Sequence, residues 1–464
     1  MDRPKTILLR GGTVVTDKEA AICDVLIRGE YIGAVGRLDG VETDEALDAT
    51  GLLVFPGAID SHVHFNDVFM NTVSVHDYPQ GTRAAAFGGV TSVIDFANPV
   101  RGHSLGETFD LKMKEAEGEA FIDWGIHPVI TDPTPQNLAD IRSLVERGAP
   151  TFKCYMTYRS EGLMVSDDDL RRVLARLREA GGMLLVHAED NVIIEDNIAR
   201  FVRAGLTAPV YHAWSRPPEA ENRAIRRCLQ LARETRGPLF IVHMASAEGA
   251  DDIAAARAEG MAVFAETCTH YLVFTESRLE RLDGIKWICS PPLRTKSIQE
   301  VLWHGIADGR ISLVSSDDAA YSWEAKLAGK DRFDKCPNGI PGIEVRLNIL
   351  FSEGVARGRI TLPRFVELVS TAPARLFGLA PRKGSLAPGA DADVVIFDPR
   401  LKWTMNAETL HMAADWSAYD GIEVKGRIRK VFSRGELIVD GGRLLGKKGR
   451  GRYLARKLER TLFR

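Results

Sequence analysis

The sequence predicts an α/β fold: a (β/α)8 TIM-like barrel with a small β-sandwich domain formed by both chain termini. Eight apolar, strand-like runs alternate with helix-like segments between residues 57 and 316, which matches the repeat of such a barrel. The two flanking regions instead consist of short alternating strands broken by Gly turns. An open doubly wound sheet shows a similar alternation and stays the alternative on pattern alone.

The eight strand candidates are short runs rich in apolar and β-branched residues. In chain order they read AIDSHV, VTSVIDF, IDWGIHPVI, PTFKCY, MLLVHA, LFIVHM, MAVFAE and ISLVSS. Helix-like stretches such as DDLRRVLARLREAGG separate most of them, and several end on Gly as a helix C-cap does. Active sites of barrels lie at the C-terminal ends of the strands, so we expect functional residues at those ends.

This pattern divides the chain into four segments. We expect residues 1–56 and 376–442 to form the two parts of the sandwich, and residues 57–375 to form the barrel. Residues 443–464 hold nine Lys and Arg against the single acidic residue Glu459. Such a basic tail is typical of a solvated or disordered end, and the alternative is an oligomerisation arm that packs on a neighbouring subunit.

Composition and charge exclude several classes of protein. The apolar fraction of 45% is that of an ordinary globular protein, and the net charge of −3 gives no general attraction to nucleic acid or to an anionic membrane. No apolar run approaches the roughly 18 residues of a membrane span, and the N-terminal residues lack the continuous apolar stretch of a signal peptide. We therefore expect a cytoplasmic protein. Six scattered cysteines without a CxxC pair predict neither a disulfide framework nor a zinc knuckle.

Side chains able to bind a metal occur at the ends of five of the eight strands. Taken singly, each has an ordinary explanation: an HxH pair in a loop, a structural histidine, an ion-paired lysine, or a helix N-cap supplied by either aspartate of SSDD. Ligands at the same end of five strands instead indicate one metal centre. The candidate ligands are His62, His64, Lys153, His187, His243 and Asp317.

Lys153 is the informative member of this set, because an ammonium group would be repelled by divalent cations. Its deprotonated amine can add CO₂ to give a carbamate, N6-carboxylysine, whose two oxygens can bridge two metals. Four histidines, a carboxylate and a carbamate suit two divalent ions, with Zn²⁺ the expected metal. Two such ions can activate a shared hydroxide and polarise a carbonyl. The set therefore predicts metal-assisted hydrolysis.

With these residues in place, the chain resembles the cyclic amidohydrolases of the amidohydrolase superfamily, and most closely their dihydropyrimidinase and hydantoinase branch. The similarity covers nearly the whole chain. It includes PGAIDSHVHF, GTRAAAFGGVTSVIDFA, TFKCYMTY, VHAED, SRPPEAENRAI, IVHMASAEG, AETCTHYL, SPPLR, PNGIPGIEVR, VKGRIRKVFSRGELIVDG and GKKGRGRYL. The resemblance implies the same barrel and sandwich, a homotetramer, and a small cyclic ureide as substrate.

The resemblance also implies roles for individual residues. His62, His64 and Asp317 would bind one metal, His187 and His243 the other, and carboxylated Lys153 would bridge them. Asp317 would act as general base and acid, passing a proton from the attacking hydroxide to the leaving nitrogen. Three further positions would contact substrate: the hydroxyl of Tyr158 would stabilise the oxyanion, and the backbone at Ser290 and Asn338 would bind the ring amide.

The expected reaction opens a dihydropyrimidine or 5-substituted hydantoin to an N-carbamoyl amino acid. HVHFND favours an allantoinase as the alternative, and a non-catalytic scaffold is a third possibility. The sequence departs from the family pattern at Asp318, where His is frequent, and at Thr269, where Pro is commoner; Asn66 replaces the arginine of dihydroorotases. Four loop residues could contact the ring substituent or simply pack in the loops: Phe69, Met70, Leu163 and Met164.

Overall fold

The structure is a computed structural model that describes residues 3–463. Its N-terminal part is a run of short strands whose buried faces are formed by Val, Ile and Leu, as expected of β-branched and aliphatic residues on a half-buried sheet. These strands are β1 (Thr6–Val15), β2 (Ala20–Arg28), β3 (Tyr31–Gly36), β4 (Glu45–Asp48) and β5 (Leu53–Pro56).

The eight strands predicted from the sequence are all present in the central part of the chain, and all of them pair in parallel. They are nearly fully buried, which explains why they are rich in apolar and β-branched residues. A short hairpin follows the first of them. The strands are β6 (Ala58–Val63), the hairpin strands β7 (Val68–Phe69) and β8 (Thr72–Val73), then β9 (Val90–Ala97), β10 (Asp123–Pro128), β11 (Thr151–Tyr155), β12 (Met183–His187), β13 (Leu239–Ile241), β14 (Val263–Cys268) and β15 (Leu313–Ser315).

The parallel strands form one sheet of order β10-β9-β6 and another of order β11-β12-β13-β14-β15. Single parallel bridges join the two sheets on both sides. One bridge links Val129, just beyond β10, to Lys153 of β11, and the other links Val63 of β6 to Asp318, just beyond β15. The eight strands therefore follow one another in chain order, with all their C-terminal ends on the same side.

Helices separate most of these strands. Several begin at a side-chain N-cap, as Ser166 does for α4, and end at a Gly in the left-handed conformation, as predicted. The helices are α1 (Tyr78–Phe87), α2 (Leu105–Ala116), α3 (Pro135–Glu146), α4 (Asp167–Ala180), α5 (Asn191–Arg203), α6 (Val210–Ser215), α7 (Pro218–Thr235), α8 (Ala247–Ala258), α9 (Thr269–Val273), α10 (Lys296–Asp308), α11 (Trp323–Leu327), α12 (Arg346–Leu350), α13 (Leu362–Val366) and α14 (Ala372–Leu376).

The two ends of the chain share one nine-stranded sheet. Its C-terminal strands are β16 (Val394–Thr404), β17 (Glu423–Ser433), β18 (Glu436–Asp440) and β19 (Arg443–Leu444). The sheet runs β19-β18-β17-β16-β5-β1-β2-β3, with β4 paired to β1. Its two halves meet where β16 lies antiparallel to β5.

The basic tail is not a solvated end, because it packs along its own chain as far as the structure describes it. The amide of Leu454 donates to the carbonyl of Trp124 at 2.7 Å, and the Leu454 side chain is buried. Arg456 is also buried, and its guanidinium donates to Thr151 Oγ1 at 2.8 Å and to the carbonyl of Ile126. The expectation of a disordered tail is wrong, because Arg456 binds backbone and hydroxyl oxygens of β10 and β11, and Arg450 and Arg452 pair with Glu436 and Glu30. Packing on a neighbouring subunit stays a prediction.

A buried charge cluster joins the terminal sheet to the parallel strands. The Lys383 ammonium lies 2.7 Å from Asp123 of β10, 2.9 Å from Asp391 and 2.8 Å from Asp393, and all four side chains are nearly inaccessible to solvent. Arg434, at the turn after β17, adds a second cation beside Asp123. We refer to these five residues as the junction cluster.

The sequence predicted neither a membrane span nor a disulfide framework. Across residues 3–463, no helix combines the length and apolar character needed to cross a membrane. The six cysteines are all free thiols, and five of them are buried.

Candidate metal centre

The structure brings the six predicted ligands together at the C-terminal ends of the parallel strands. Five of them line one cavity, and the sixth, His62, lies directly beside them, with its ring 5.2 Å from that of His64 and 5.3 Å from that of His243. His62 and His187 belong to strands, whereas His64, His243 and Asp317 lie one or two residues beyond a strand. Strand geometry therefore accounts for the convergence that the sequence suggested.

His62, His64 and Asp317 form the tightest group. Nε2 of His62 lies 3.1 Å from Asp317 Oδ1, and Nε2 of His64 lies 3.3 Å from the same oxygen. One nitrogen or oxygen from each of the three residues falls within 4.8 Å of the others. The His62 Nε2 atom is buried and lacks a well-aligned hydrogen bond. Three donor atoms that converge in this way, one of them unpartnered, fit a divalent cation.

His187 and His243 face each other beside this group, with ring centroids 4.4 Å apart. Burial lowers the pKa of His187 to about 4 and holds the pKa of His243 well below its usual range. Both imidazoles are therefore neutral near pH 7, which is the form that binds metal. Nδ1 of His243 is buried without a hydrogen-bond partner.

Three of these histidines each contact a carboxylate that was not predicted from the sequence. Nδ1 of His62 contacts Glu266, Nδ1 of His64 lies 2.6 Å from Asp67, and Nε2 of His187 lies 2.7 Å from Glu189. Such carboxylate–histidine pairs fix the tautomer and orientation of metal-binding imidazoles. Two of the carboxylates follow their histidines in HFND and HAED, a signal that could have found them. Glu266 lies 204 residues from His62, so no local pattern reveals it.

Lys153 lies in the middle of β11 with its side chain almost completely buried. Its ammonium group packs 5.1 Å from the ring centre of Phe96 and 5.0 Å from that of Tyr155. Among residues 3–463 no carboxylate lies within 4.0 Å of it, which argues against an ion-paired lysine. Burial lowers the pKa of Lys153 to about 8, so a substantial fraction of neutral amine exists near neutral pH.

Two of the six candidate ligands have strained backbones. Asp317 has φ of 51° and His243 has φ of 39°, in the left-handed region that non-Gly residues rarely adopt. Each such residue costs about 1–3 kcal/mol and persists only where its surroundings fix it. Strain of this kind concentrates at functional sites.

Tyr158 and Asn338 meet at the rim of the cavity. The Asn338 amide donates to the Tyr158 hydroxyl at 3.1 Å, which leaves the hydroxyl proton free for another acceptor. Burial raises the pKa of Tyr158, although the Arg216 guanidinium 5.2 Å from its ring centre opposes that rise. The tyrosine is therefore a neutral donor at physiological pH. Ser290 also lines the cavity, with its hydroxyl 3.4 Å from Nε2 of His212.

The loop residues divide into two groups. Phe69 and Leu163 line the cavity, and the Phe69 ring packs edge-on against Tyr158 with centroids 5.0 Å apart. Met70 and Met164 are not among the cavity residues; Met164 instead bridges to Tyr155.

The two departures from the expected sequence pattern lie outside the ligand set. Asp318 points away from the cavity, and its carboxylate lies 2.6 Å from Nδ1 of His76. Thr269 is buried at the start of α9, and its hydroxyl lies 3.4 Å from the carbonyl oxygen of Ser315. Asn66 is exposed with φ of 54°, a conformation that Asn tolerates better than most residues.

The profile of the Amidohydrolase family matches residues 53–438. The chain belongs to the amidohydrolase family. It is 41% identical over 455 residues to the D-hydantoinase of Geobacillus stearothermophilus, covering 97% of this chain and 96% of that protein. It is 43% identical to the D-phenylhydantoinase of Escherichia coli (strain K12 / DH10B), covering 97% of this chain and 98% of that one.

Solved structures give the same result. The crystal structure of dihydropyrimidinase from Brevibacillus agri NCHU1002 superposes with a TM-score of 0.95 at 39% identity, over 98% of this chain and all of that one. The resemblance to hydantoinases and dihydropyrimidinases inferred from sequence motifs is therefore confirmed. Membership of the amidohydrolase family also implies the use of divalent metal.

Proposed function

We propose that this protein hydrolyses the cyclic amide bond of a dihydropyrimidine or a 5-substituted hydantoin to give an N-carbamoyl amino acid. The observation that supports this most directly is the convergence of six ligand side chains, five lining one cavity and His62 directly beside them, in a chain 41% and 43% identical to two hydantoinases. The complete ligand set argues against a non-catalytic scaffold, because every position that would hold metal is filled.

In this proposal the ligands divide between two divalent ions, with Zn²⁺ the expected metal. His62, His64 and Asp317 would hold one ion, and His187 and His243 would hold the other. The buried, unpartnered Nε2 of His62 and Nδ1 of His243 support this assignment. When bound, the ions would supply Lewis acidity and lower the pKa of an attacking water.

Lys153 would bridge the ions as a carbamate. The nitrogen of the neutral Lys153 amine attacks the carbon of CO₂ and forms an N–C bond. The same nitrogen then loses a proton, and the carbamate carries one negative charge shared by its two oxygens. Burial favours this step, because it lowers the pKa of Lys153 to about 8. The charge change also suits the site, because it replaces a cation by an anion next to two metals.

The remaining roles belong to side chains at the cavity wall. Asp317 would accept a proton from the attacking water and return it to the leaving ring nitrogen. The free hydroxyl proton of Tyr158 would stabilise the developing oxyanion, and the backbone at Ser290 and Asn338 would bind the ring amide. Phe69 and Leu163 would contact the ring substituent.

The finer points of architecture and assembly belong to the same proposal. We infer that the eight parallel strands close into a (β/α)8 barrel over residues 57–375, because bridges join the two sheets on both sides. Residues 1–56 and 376–442 would form the β-sandwich, since both contribute to one sheet. A homotetramer in the cytoplasm, with no nucleic acid or membrane partner, stays part of this proposal.

The proposal can be tested by metal analysis followed by a substrate panel. Purified protein should contain close to two divalent ions per chain, and the loaded enzyme should hydrolyse dihydrouracil and hydantoins faster than allantoin. Allantoin as the preferred substrate would instead identify an allantoinase. Metal content below one ion per chain, with no activity after adding Zn²⁺ or Mn²⁺ and bicarbonate, would refute the proposal.

A substitution at the bridging position gives a second test. Lys153→Ala should lose the two-metal site and its activity while the circular dichroism spectrum stays that of the wild type. The matched control is Lys330→Ala at an exposed position, which should bind metal normally. Full activity in Lys153→Ala would disprove the carbamate bridge.

A further inference from the structure

Two fully buried side chains, His76 and Asp318, form a pair directly behind the metal centre. Nδ1 of His76 lies 2.6 Å from Asp318 Oδ2, and neither side chain is exposed to solvent. The other nitrogen of His76, Nε2, accepts a hydrogen bond from the amide of Ala413 at 3.0 Å. Since Nε2 accepts, Nδ1 carries the proton and donates to Asp318, which fixes the tautomer.

Asp318 is tied to the rest of the site by four further hydrogen bonds. Its Oδ1 accepts from the amides of Gly342 at 2.8 Å and Ile343 at 3.1 Å. Its own amide donates to Ser316 Oγ at 3.2 Å, and its carbonyl accepts from the amide of His64 at 2.9 Å. One residue therefore anchors both the backbone that follows Asp317 and the backbone of the ligand His64.

His76 holds the other side of the same loop. Its carbonyl accepts from the amide of Asn66 at 2.6 Å, two residues beyond His64. The amide of Val75 donates to the carbonyl of Ala320 at 2.7 Å, so the segments before His76 and after Asp318 are also joined directly. The pair thus joins the backbone segments that carry two of the candidate metal ligands. One of these, His64, follows the first of the eight parallel strands, and the other, Asp317, follows the last.

We propose that His76 and Asp318 are positioning residues for the metal ligands His64 and Asp317. Asp317 has its strained, left-handed backbone immediately before Asp318, and such a conformation requires surroundings that fix it. The pair supplies that constraint without contacting metal or substrate. This inference rests on the proposed function, because it assumes that His64 and Asp317 bind metal.

The pair also explains the departure from the family pattern at residue 318. The family often has a histidine there, and this chain has an aspartate whose partner is His76. An imidazole is therefore present next to residue 318, but it belongs to the loop after β8 and not to the end of β15. The departure therefore leaves the metal ligands untouched.

The test compares four variants by metal affinity, measured by competition with a chelator, and by the visible spectrum of the Co²⁺-loaded protein. Asp318→Asn and His76→Leu should each weaken metal binding by about 10- to 100-fold, the usual effect of losing a partner of a metal ligand. Their Co²⁺ spectra should change, and kcat should fall while KM changes little. His76→Asn retains an N–H donor near the position of Nδ1, so it should restore most of the affinity lost in His76→Leu.

Asp123→Asn is the matched control. This variant also replaces a buried aspartate by asparagine, but in an ion pair at the opposite end of the parallel strands. It therefore reports how a loss of stability by itself affects metal binding. The inference is overturned if Asp318→Asn and His76→Leu keep the Co²⁺ spectrum and metal affinity of Asp123→Asn, or if His76→Asn is no better than His76→Leu. Failure of the wild type to bind metal or hydrolyse cyclic ureides would instead refute the proposed function.

Discussion

Replacing Lys383 by Met should destabilise the protein substantially, because Lys383 lies at the centre of the junction cluster. Met has a similar length and no charge, so the substitution leaves three buried carboxylates facing an apolar side chain. Breaking a buried ion pair from one side costs about 3–5 kcal/mol. Arg434 still neutralises Asp123 in the variant, so we expect the lower end of that range.

The pKa of Asp123 gives an independent check on this magnitude and sets its pH dependence. Burial alone would raise this pKa, but Lys383 and Arg434 outweigh burial and lower it from 3.8 to about 2. A shift of this size corresponds to roughly 2 kcal/mol. Because the pKa is lower in the folded state, the stabilisation is complete above about pH 4 and is lost as the pH falls towards 2.

The assay is urea unfolding followed by tryptophan fluorescence, at pH 7 and again near pH 3 and at one protein concentration. The free energy lost in Lys383→Met should be largest at pH 7 and should shrink at the lower pH. Lys5→Met is the control, since Lys5 pairs with Glu45 at 2.8 Å on the exposed surface and should cost no more than about 1 kcal/mol. Equal losses in the two variants, or a loss in Lys383→Met that does not depend on pH, would refute this reasoning.

Three further predictions concern the tail and the metal centre. Leu454→Ala should cost about 2–5 kcal/mol in thermal or urea unfolding because its side chain is buried, whereas Leu282→Ala, at a fully exposed position, should change stability little. Glu266→Gln should weaken metal binding about 10- to 100-fold in a chelator competition by removing the carboxylate behind His62, and unchanged affinity would contradict that role. Tyr158→Phe should keep its metal but lose about 10²- to 10³-fold in kcat, and a wild-type kcat would show that the hydroxyl does not stabilise the oxyanion.

The eight parallel strands could be predicted because burial on both faces makes each of them a short run rich in apolar and β-branched residues. The ligands could be predicted for a related reason, since a polar residue at the end of such a run is conspicuous. His187, for example, directly follows four buried apolar residues in MLLVH. Local sequence was therefore sufficient to predict the features that depend on burial or on strand periodicity.

The contacts that were not predicted join residues that are distant in the chain. The tail appeared to be a solvated end because its composition is basic, but within residues 3–463 Arg456 pairs with no acid and instead donates to oxygens more than 300 residues away. Glu266 behind His62 and His76 beside Asp318 were missed for the same reason, since their partners lie 204 and 242 residues away. Composition describes the average surroundings of a charge, whereas its actual partner is set by the fold.

The pairing of β5 with β16 has a consequence for synthesis of the protein. Pro56 faces Val394, so the edge of β5 has no partner until about 340 further residues have been added. At a ribosomal rate of about 5–20 residues per second, that edge stays open for roughly 20–70 seconds. An unpaired, apolar strand edge is a site of aggregation, so overexpression at low temperature or with added chaperones should improve the soluble yield.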